Sequence, residues 1–331
     1  MSMSFIQNTK IVWVSIVLEA MPFLLLGVII SGLLQVFVSD ETIARILPKH
    51  TLIGIVCASL LGLLFPLCEC GMIPVVRRLI KKGMPVYSGI AFILAGPIIN
   101  PIVIGATYTA FPFHPEIVWG RIIGGFLVAV LAASLFIRVS SKQLLKTYGT
   151  AGRPATLHAS AAESVVHVHD HSHSHSHSHS HSHSHGALRA PSMGAKLKSA
   201  FLHSADELIH MLKYVLFGAL MTALIQTGIG TAKLVSWSDF FAYQPLFMMA
   251  FAFVLSLCSN SDAFIAATFT SSFEPSALLA FLVFGPMLDI KNTFMLFSVF
   301  RARYVWMLIA SVTILVLLLS LGYSIYEGVM I

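Results

Sequence analysis

Long apolar runs separated by short polar stretches are the main pattern in this 331-residue sequence. A membrane-spanning helix needs about 17–25 mostly apolar residues, and most of the runs approach that length. The pattern therefore predicts an all-α integral membrane protein of about eight transmembrane helices. The predicted spans are residues 11–38, 51–65 with a continuation to 77, 86–110, 117–137, 208–229, 245–257, 276–300 and 304–325.

The composition supports a multi-pass protein of the bacterial plasma membrane. Hydrophobic residues make up 57% of the chain and charged residues 10%, with a mean hydropathy of +0.86. Soluble domains carry about a quarter charged residues. No cleavage motif follows the first apolar run, so it is expected to be retained as a span. The net charge of +6 lies mostly in loops, which indicates contact with anionic lipid rather than with nucleic acid.

Several spans are interrupted by glycine, proline and polar residues. Residues 66–74 read PLCECGMIP and follow a wholly apolar run, and residues 96–101 read GPIINP. Non-helical backbone at membrane depth is tolerated only where protein covers it or where it lines a cavity. The interruptions therefore predict parts of a substrate site.

The interruptions occur at corresponding places in two halves of the chain. Residues 65–68 align with residues 255–258, and Gly96-Pro97 aligns with Gly285-Pro286. Asn100 then falls opposite Asp289. This predicts two structural repeats with interrupted helices, and the substrate site of a transporter built in that way lies between its repeats. The predicted parts are a first membrane repeat (1–138), a disordered His-rich linker with an interfacial segment (139–200) and a second membrane repeat (201–331).

Three cysteines at the interruptions are candidate ligands. Cys68 and Cys70 converge on one ligand only if the helix is broken, and Cys258 occupies the position related to Cys68 by the repeat. Thiolates select soft ions such as Zn²⁺, Cu⁺ or trivalent arsenic. The alternative is that they are small buried apolar residues, which is the interpretation favoured for Cys57.

Polar residues near the same interruptions complete the candidate site. Glu69 is costly in lipid, so it binds a cation, accepts a proton or caps the motif. Asn100, Asn260, Asp262 and Asp289 bind ions at broken helix ends or serve as helix caps and structural ion pairs. Glu19 and Arg121 are expected to be interhelical partners.

A histidine tract fills the linker. Ten histidines between residues 167 and 185 mostly alternate with serine, as in a disordered low-complexity segment. Neutral imidazole binds Zn²⁺, Ni²⁺ or Cu²⁺, so the tract is a candidate metal buffer or sensor. A low-complexity expansion without a role is the alternative.

The sequence leaves the orientation open. The basic residues 77–82 and the basic linker belong in the cytoplasm by the positive-inside rule. With eight simple spans the amino terminus is then inside, but Arg301 and Arg303 fall outside. An inverted second half removes that conflict if the first half crosses an odd number of times, for instance through a re-entrant hairpin at one interruption.

The motifs in residues 66–74, 96–101 and 258–262 resemble those of the YraQ-type predicted permeases of bacteria, a family that includes efflux permeases for trivalent organoarsenicals. The resemblance covers both membrane halves and omits the linker. It implies a permease of about eight spans with the cysteine pair near the translocation path, and thiols that bind As(III) would map to Cys68 and Cys70. Glu69 and the histidine tract depart from the family pattern and favour a divalent metal such as zinc.

Together these features predict a secondary permease rather than an enzyme, moving a small inorganic or organometalloid species across the plasma membrane. The alternatives are a metal sensor or a subunit of a metal-handling complex, with a further membrane or soluble subunit as partner, and a thiol oxidoreductase. The chain has no P-loop or dinucleotide fingerprint, and no cofactor is required beyond Zn²⁺ or another divalent metal at the His-rich loop. The predicted substrate-binding residues are Cys68, Glu69, Cys70, Gly96, Pro97, Asn100, Cys258, Asn260, Asp262, Gly285, Pro286 and Asp289, and the predicted metal ligands are Cys68, Cys70, Cys258, His167, His169, His171 and His173.

Overall fold

Helices form the regular secondary structure in the part of the chain that the structure describes, apart from one isolated β-bridge. The structure is a computed structural model and describes residues 3–37, 51–64, 69–146, 193–229 and 243–330. The predicted all-α fold is confirmed. In chain order the helices are α1 (Met3–Phe37), α2 (Thr51–Leu64), α3 (Glu69–Lys81), α4 (Val86–Ala95), α5 (Pro101–Ala110), α6 (Pro115–Ser134), α7 (Ser141–Leu144), α8 (Met193–Ile229), α9 (Gln244–Leu255), α10 (Ser261–Ala267), α11 (Pro275–Met287), α12 (Ile290–Val299) and α13 (Ala302–Met330).

The lengths and apolar composition of the helices fit a multi-pass membrane protein. Large apolar side chains such as Leu18, Trp119 and Ile314 are exposed on the outside of the bundle, as expected for a surface that faces lipid. The predicted number of about eight spans stays a prediction. Among the described residues, five segments are long and apolar enough to cross a membrane: Phe5–Leu33, Pro115–Ser134, Met211–Gly228, Pro275–Val299 and Ala302–Tyr326.

The two interrupted spans are the innermost elements. Nine of the ten residues of α4 are buried, and so are 11 of the 13 residues of α11. Helix α4 ends just before Gly96, whereas α11 continues through Gly285 and Pro286 and ends at Met287. In both spans a new helix then begins, α5 after Asn100 and α12 after Asp289.

Helix α2 runs parallel to α4. Near the start of both helices, the Ser88 hydroxyl donates a hydrogen bond to the Gly54 carbonyl at 3.3 Å. Near the end of both, a methyl group added to Gly62 would lie 2.4 Å from the Gly96 Cα atom. The two helices therefore run side by side, in the same direction, from one end of the bundle to its middle.

Helix α3 runs back in the opposite direction. Its first turns lie beside the end of α4, because a Cβ atom on Gly96 would clash with the Met72 side chain. Its last turns lie beside the start of α4, because a Cβ atom on Gly89 would lie 2.9 Å from the Ile80 side chain. Helices α2 and α3 thus form a hairpin whose arms begin and end at the same end of the bundle, with residues 65–68 between them.

Helices α9 and α10 form a second hairpin. The Gln244 side chain at the start of α9 accepts a hydrogen bond from the Glu274 amide just before α11, at 3.2 Å. Farther along, a Cβ atom on Gly285 would lie 3.5 Å from that of Ala252. Helix α9 is therefore parallel to α11, as α2 is to α4.

The return arm of the second hairpin leads back to the start of α11. A Cβ atom on Gly285 would lie 3.9 Å from a carboxylate oxygen of Asp262, near the start of α10. Phe273, at the end of the arm, stacks on Phe247 with 5.9 Å between the ring centroids. Each hairpin also packs against the other half of the chain. Helix α3 of the first hairpin contacts α12, and α10 of the second hairpin contacts α5.

The end of the first half is attached to the turn between α12 and α13. The Arg301 amide donates to the Leu144 carbonyl at 2.9 Å, and the Lys146 amide donates to the Val299 carbonyl at 3.0 Å. Leu144 also lines a small cavity together with Ile90 of α4. The basic residues around positions 77–82, 138–146 and 301–303 therefore lie at one end of the bundle, which is named the basic end below.

The first helix starts at the other end. In α1, a Cβ atom on Gly27 would lie 2.4 Å from the Gly71 carbonyl oxygen of α3. The Ser31 hydroxyl donates to the Pro74 carbonyl at 3.4 Å. Since α1 is thus parallel to α3, and α3 ends at the basic end, α1 begins at the opposite end. The predicted domain limits stay predictions, and the limit at residue 200 falls inside α8.

Candidate functional site

Two clusters of charged and polar groups lie within the described part of the bundle, one beside each hairpin. Each cluster joins residues from both halves of the chain. The arginine cluster consists of Thr107, Arg121, Ser259 and Asp262, and the lysine cluster consists of Glu19, Glu69, Cys70, Asp289 and Lys291.

The arginine cluster is tightly bonded. The Arg121 guanidinium of α6 donates from Nη2 to both carboxylate oxygens of Asp262, each at 3.0 Å. It also donates to the Ser259 carbonyl at 3.0 Å and, from Nη1, to the Thr107 hydroxyl at 2.7 Å. Arg121 is 1% exposed and Asp262 3%. The tip of the second hairpin is therefore held to α5 and α6 of the first half by a buried ion pair.

The lysine cluster is looser. The Lys291 ammonium lies 3.8 Å from the nearer Asp289 oxygen and 3.4 Å from the Ser256 carbonyl. It is also within electrostatic range of Glu69, Cys70 and Glu19. Both Lys291 and Glu69 are buried. The lysine of the second half therefore faces the tip of the first hairpin.

Two of the predicted polar residues are helix N-caps. The Asn100 side chain accepts a hydrogen bond from the Ile102 amide at 3.0 Å, at the start of α5. The Asp289 side chain accepts one from the Asn292 amide, at the start of α12. Each cap satisfies an amide that the broken span leaves without a helical partner. The two residues that align in the sequence thus have the same local role.

Backbone strain marks the interruption between α9 and α10. Ser256 has φ of +48°, a left-handed conformation that is uncommon for a residue with a side chain. Its hydroxyl accepts a hydrogen bond from the Lys291 amide at 3.4 Å. Strained residues of this kind often occur at functional sites, and here the strained residue contacts the lysine cluster.

Cys258 lies at the same interruption. Its Sγ atom is 3.2 Å from the Ser261 hydroxyl, and it lies within hydrogen-bonding range of Glu19. Cys70 is buried at the start of α3, whereas Cys57 is exposed on α2. Cys258 is within range of Glu19, and Lys291 is within electrostatic range of both Glu19 and Cys70. The two cysteines are therefore linked through these charged residues.

Several predicted metal ligands lie outside the described residues. They are Cys68, His167, His169, His171 and His173. Within the described ranges, no group of three or more His, Cys, Asp or Glu side chains has an arrangement that could hold a metal ion. The predicted thiol and histidine ligands therefore stay predictions.

Some buried oxygen atoms have no hydrogen-bond partner among the described residues. They include Glu69 Oε1, Asp289 Oδ2, Asn292 Oδ1 and Asn260 Oδ1. Buried polar atoms are normally bonded, so each exception needs an explanation. Three of the four belong to the lysine cluster or to Asn292, which Asp289 contacts directly.

The other predicted residues are structural neighbours of these clusters. Gly96 permits the close approach of α2 and α3 to α4, and Gly285 lies beside Asp262. Pro97 lies in the turn after α4 and Pro286 lies inside α11.

Sequence reasoning had not assigned Thr107 or Ser256 to the site, nor the pairing of Arg121 with Asp262. The signal that could have found the pair is its charge: each is an isolated ionisable residue in an apolar run, and such residues inside a bundle pair with one another.

Comparisons with known proteins cover nearly the whole chain. The profile of the ArsP_1 family, described as predicted permease, matches residues 6–325. "UPF0718 protein YcgR" of Bacillus subtilis is 41% identical over 321 residues, which are 96% of this chain and 97% of that protein. A "putative two-component membrane permease complex subunit" of Streptococcus mutans is 32% identical over 319 residues, which are 96% and 94% of the two chains. No solved structure matches the chain.

Proposed function

Because the chain belongs to the ArsP_1 family of predicted permeases, we propose that it is a secondary permease for a small soft ion, such as a metal or metalloid species. The substrate binds between the two halves of the chain, at the tips of the two hairpins. The observation that carries this proposal is the position of the lysine cluster, where buried charges from both halves meet at an interrupted span.

The energetic cost of that cluster is the reason to assign it a function. Ionisable side chains inside a membrane bundle are expensive and mark ion pathways more often than structural contacts. Glu69, Asp289 and Lys291 are each at most 3% exposed, yet they lack the close ion pairing of Arg121 with Asp262. A purely structural pair would be expected to reach the geometry of the arginine cluster.

The thiols define the class of substrate. Cys68 and Cys70 flank Glu69 in the sequence, and Cys258 lies near Glu19 at the other hairpin. Sulfur ligands with one nearby carboxylate suit a soft or borderline cation. Asn100, Asn260 and Asp262 belong to the same proposed path, at the ends of the interrupted elements.

The hairpins supply a route from each side of the membrane. In the described part of the chain, six elements run from one end of the bundle to the other: α1, α4 with α5, α6, α8, α11 with α12, and α13. The first hairpin opens to the basic end and the second to the opposite end. By the positive-inside rule the basic end is cytoplasmic, so the two halves form an inverted repeat with one re-entrant hairpin on each side. Alternating access around a fixed site is typical of such repeats.

Transport by reconstituted vesicles tests the proposal. We expect Cys68→Ser/Cys70→Ser to lower the transport of a soft ion at least about tenfold, since even supporting residues of a metal site act on that scale. Zn²⁺, Cu⁺ and arsenite are the ions to compare. Cys57→Ser is the matched control, because Cys57 is exposed on α2, and it should transport normally. If the double variant moves every one of these ions like the wild type, the assignment of the thiols is wrong.

The histidine tract and a partner subunit belong to a second candidate function, a metal sensor or one subunit of a complex. The Streptococcus mutans relative is named as a subunit of a two-component complex, which favours a partner for this chain too. Deleting residues 167–185 separates the candidates. A permease keeps its flux and loses regulation or affinity, whereas a sensor loses its output.

A further inference from the structure

The Lys291 ammonium is poorly satisfied for a buried cation. It has three N–H donors, but its contacts are a 3.4 Å hydrogen bond to the Ser256 carbonyl and a 3.8 Å approach to Asp289. Its side chain is only 4% exposed. A buried charge normally needs close pairing and full hydrogen bonding, so this site is incomplete as it stands.

Three acceptor oxygens of the residues around Lys291 lack donors in the described part of the chain. Glu69 Oε1, Asp289 Oδ2 and Asn292 Oδ1 are buried and have no hydrogen-bond partner among the described residues. Glu69 and Asp289 are within electrostatic range of each other. Asn292 is joined to Asp289 through its backbone N–H, and its side-chain nitrogen donates to the Met287 carbonyl at 3.4 Å. The arginine cluster differs, because both oxygens of its carboxylate are bonded to Arg121. The lysine cluster therefore contains buried acceptor oxygens that no described donor satisfies.

The charges of the cluster favour a cation over an anion as the missing partner. Three carboxyl groups, those of Glu19, Glu69 and Asp289, share one ammonium group, and Cys70 lies beside them. Carboxylate and amide oxygens are hard ligands that prefer hard cations to soft metals. A monovalent cation would add one positive charge to a cluster whose three carboxyl groups outnumber its one ammonium group.

We propose that Glu69, Asp289 and Asn292 form an oxygen-lined site for a monovalent inorganic cation, for which the Lys291 ammonium is a tethered competitor. When the cation binds, the lysine moves off the carboxylates towards the Ser256 carbonyl, which it already contacts. When the cation leaves, the lysine returns. Since Lys291 belongs to the second half and Glu69 to the tip of the first hairpin, the exchange changes an interaction between the two halves.

This inference rests on the proposed permease function only for its purpose, which is to supply a coupling ion. Glu69 lies between Cys68 and Cys70 in the sequence, so a cation at Glu69 would act directly on a soft ion held by the thiols. Binding of the cation is measurable without transport, so the two proposals fail independently.

Thermal unfolding of the purified full chain in detergent tests the cation site. Na⁺, K⁺ and Li⁺ chlorides are each compared with choline chloride at equal ionic strength, because a ligand at free concentration c that binds only the folded state stabilises it by RT ln(1 + c/Kd) and so raises the melting temperature. We expect at least one of the three cations to raise the melting temperature above its value in choline chloride, increasingly with concentration. Asp289→Asn should remove that rise and still fold, since asparagine caps α5 at the corresponding position. Glu116→Gln, which removes an exposed carboxylate, should keep it.

A second variant tests the competition. Lys291→Met removes the tethered cation, so the same rise in melting temperature should be reached at about tenfold lower cation concentration or less, a change of about 1.4 kcal/mol in binding free energy. The proposal is overturned if none of the three cations stabilises the wild type or Lys291→Met, or if Asp289→Asn keeps the full rise. If a cation stabilises the protein but no transport depends on the thiols, the cation site is supported and the proposed soft-ion substrate is wrong. If transport depends on the thiols but no cation stabilises the protein, the permease is supported and the cation site is wrong.

Discussion

Arg121 and Asp262 show how two single residues connect the halves of the chain. They are 141 positions apart, and both oxygens of the Asp262 carboxylate accept hydrogen bonds from Arg121. Both side chains are almost fully buried, at 2% and 4% exposure. Removing one member of such a pair leaves an uncompensated charge, whereas replacing both with apolar residues often costs little.

We therefore predict that Arg121→Ala lowers the free energy of unfolding by about 3–5 kcal/mol. The double variant Arg121→Met/Asp262→Leu should cost clearly less than that single change. The exposed Arg138 supplies the control, because Arg138→Ala should stay within about 0.5 kcal/mol of the wild type. Unfolding followed by circular dichroism in detergent measures all three. If the double variant is as unstable as Arg121→Ala, the lost stability does not come from an unpaired buried charge, and the prediction is wrong.

At this scale the sequence predicted which residues matter better than it predicted their partners. Glu69, Asn100, Asp262 and Asp289 were singled out because polar residues in apolar runs are costly. The pairing of Asp262 with Arg121 could not be read from the sequence, since no local period relates residues so far apart. Whether those residues bind substrate is not decided by their contacts, and it stays a prediction.

The hairpins depend on close contacts at glycine. A Cβ atom on Gly62 would lie 2.4 Å from the Gly96 Cα atom, and one on Gly27 would lie 2.4 Å from the Gly71 carbonyl oxygen. These are contacts between backbones, so no side chain can rotate away to relieve them. Small residues at helix interfaces of membrane proteins permit this approach, and here they set the position of the first hairpin against α1 and α4.

We predict that Gly62→Ala displaces α2 from α4 and destabilises the protein by about 1–3 kcal/mol, the usual cost of overpacking. Gly105→Ala is the matched control, because a Cβ atom there meets nothing within 4 Å. In the interior of a helix that change should be neutral or stabilising by up to about 1 kcal/mol. Melting temperatures of the two variants in the same detergent make the comparison. Equal melting temperatures would mean that the α2–α4 contact yields without strain.

The elements themselves were largely predictable, and their directions were not. Gly96 and Pro97 correctly marked the break between α4 and α5, because neither residue continues a helix well. Gly71 and Pro74, however, lie inside α3, and Pro286 lies inside α11. The same pattern fits a helix that is broken and continues, as in α4 with α5, and one that turns back, as in α2 with α3. Only contacts between helices, such as that of Ser88 with Gly54, distinguish the two cases.

For the whole molecule, the hairpin decides which ends of the helices face the cytoplasm. A first half with a re-entrant hairpin crosses three times, through α1, α4 with α5, and α6. Under the proposed topology the second half is then inverted. This arrangement places Arg301 at the basic end beside Leu144, which removes the conflict with the positive-inside rule that eight simple spans create.

Labelling of single cysteine substitutions in intact cells with a membrane-impermeant maleimide distinguishes the two topologies. With the hairpin, Asn8→Cys at the start of α1 is labelled from outside, and Arg303→Cys is labelled only after permeabilisation. Eight simple spans with a cytoplasmic amino terminus reverse both results. Phe113→Cys and Arg138→Cys are the controls, because both topologies place Phe113 outside and Arg138 inside; both side chains are exposed. Background labelling of the native cysteines is subtracted with the wild type. If Asn8→Cys is protected while Phe113→Cys reacts, α2 and α3 do not form a re-entrant hairpin, and the two-sided access proposed for the site loses its structural basis.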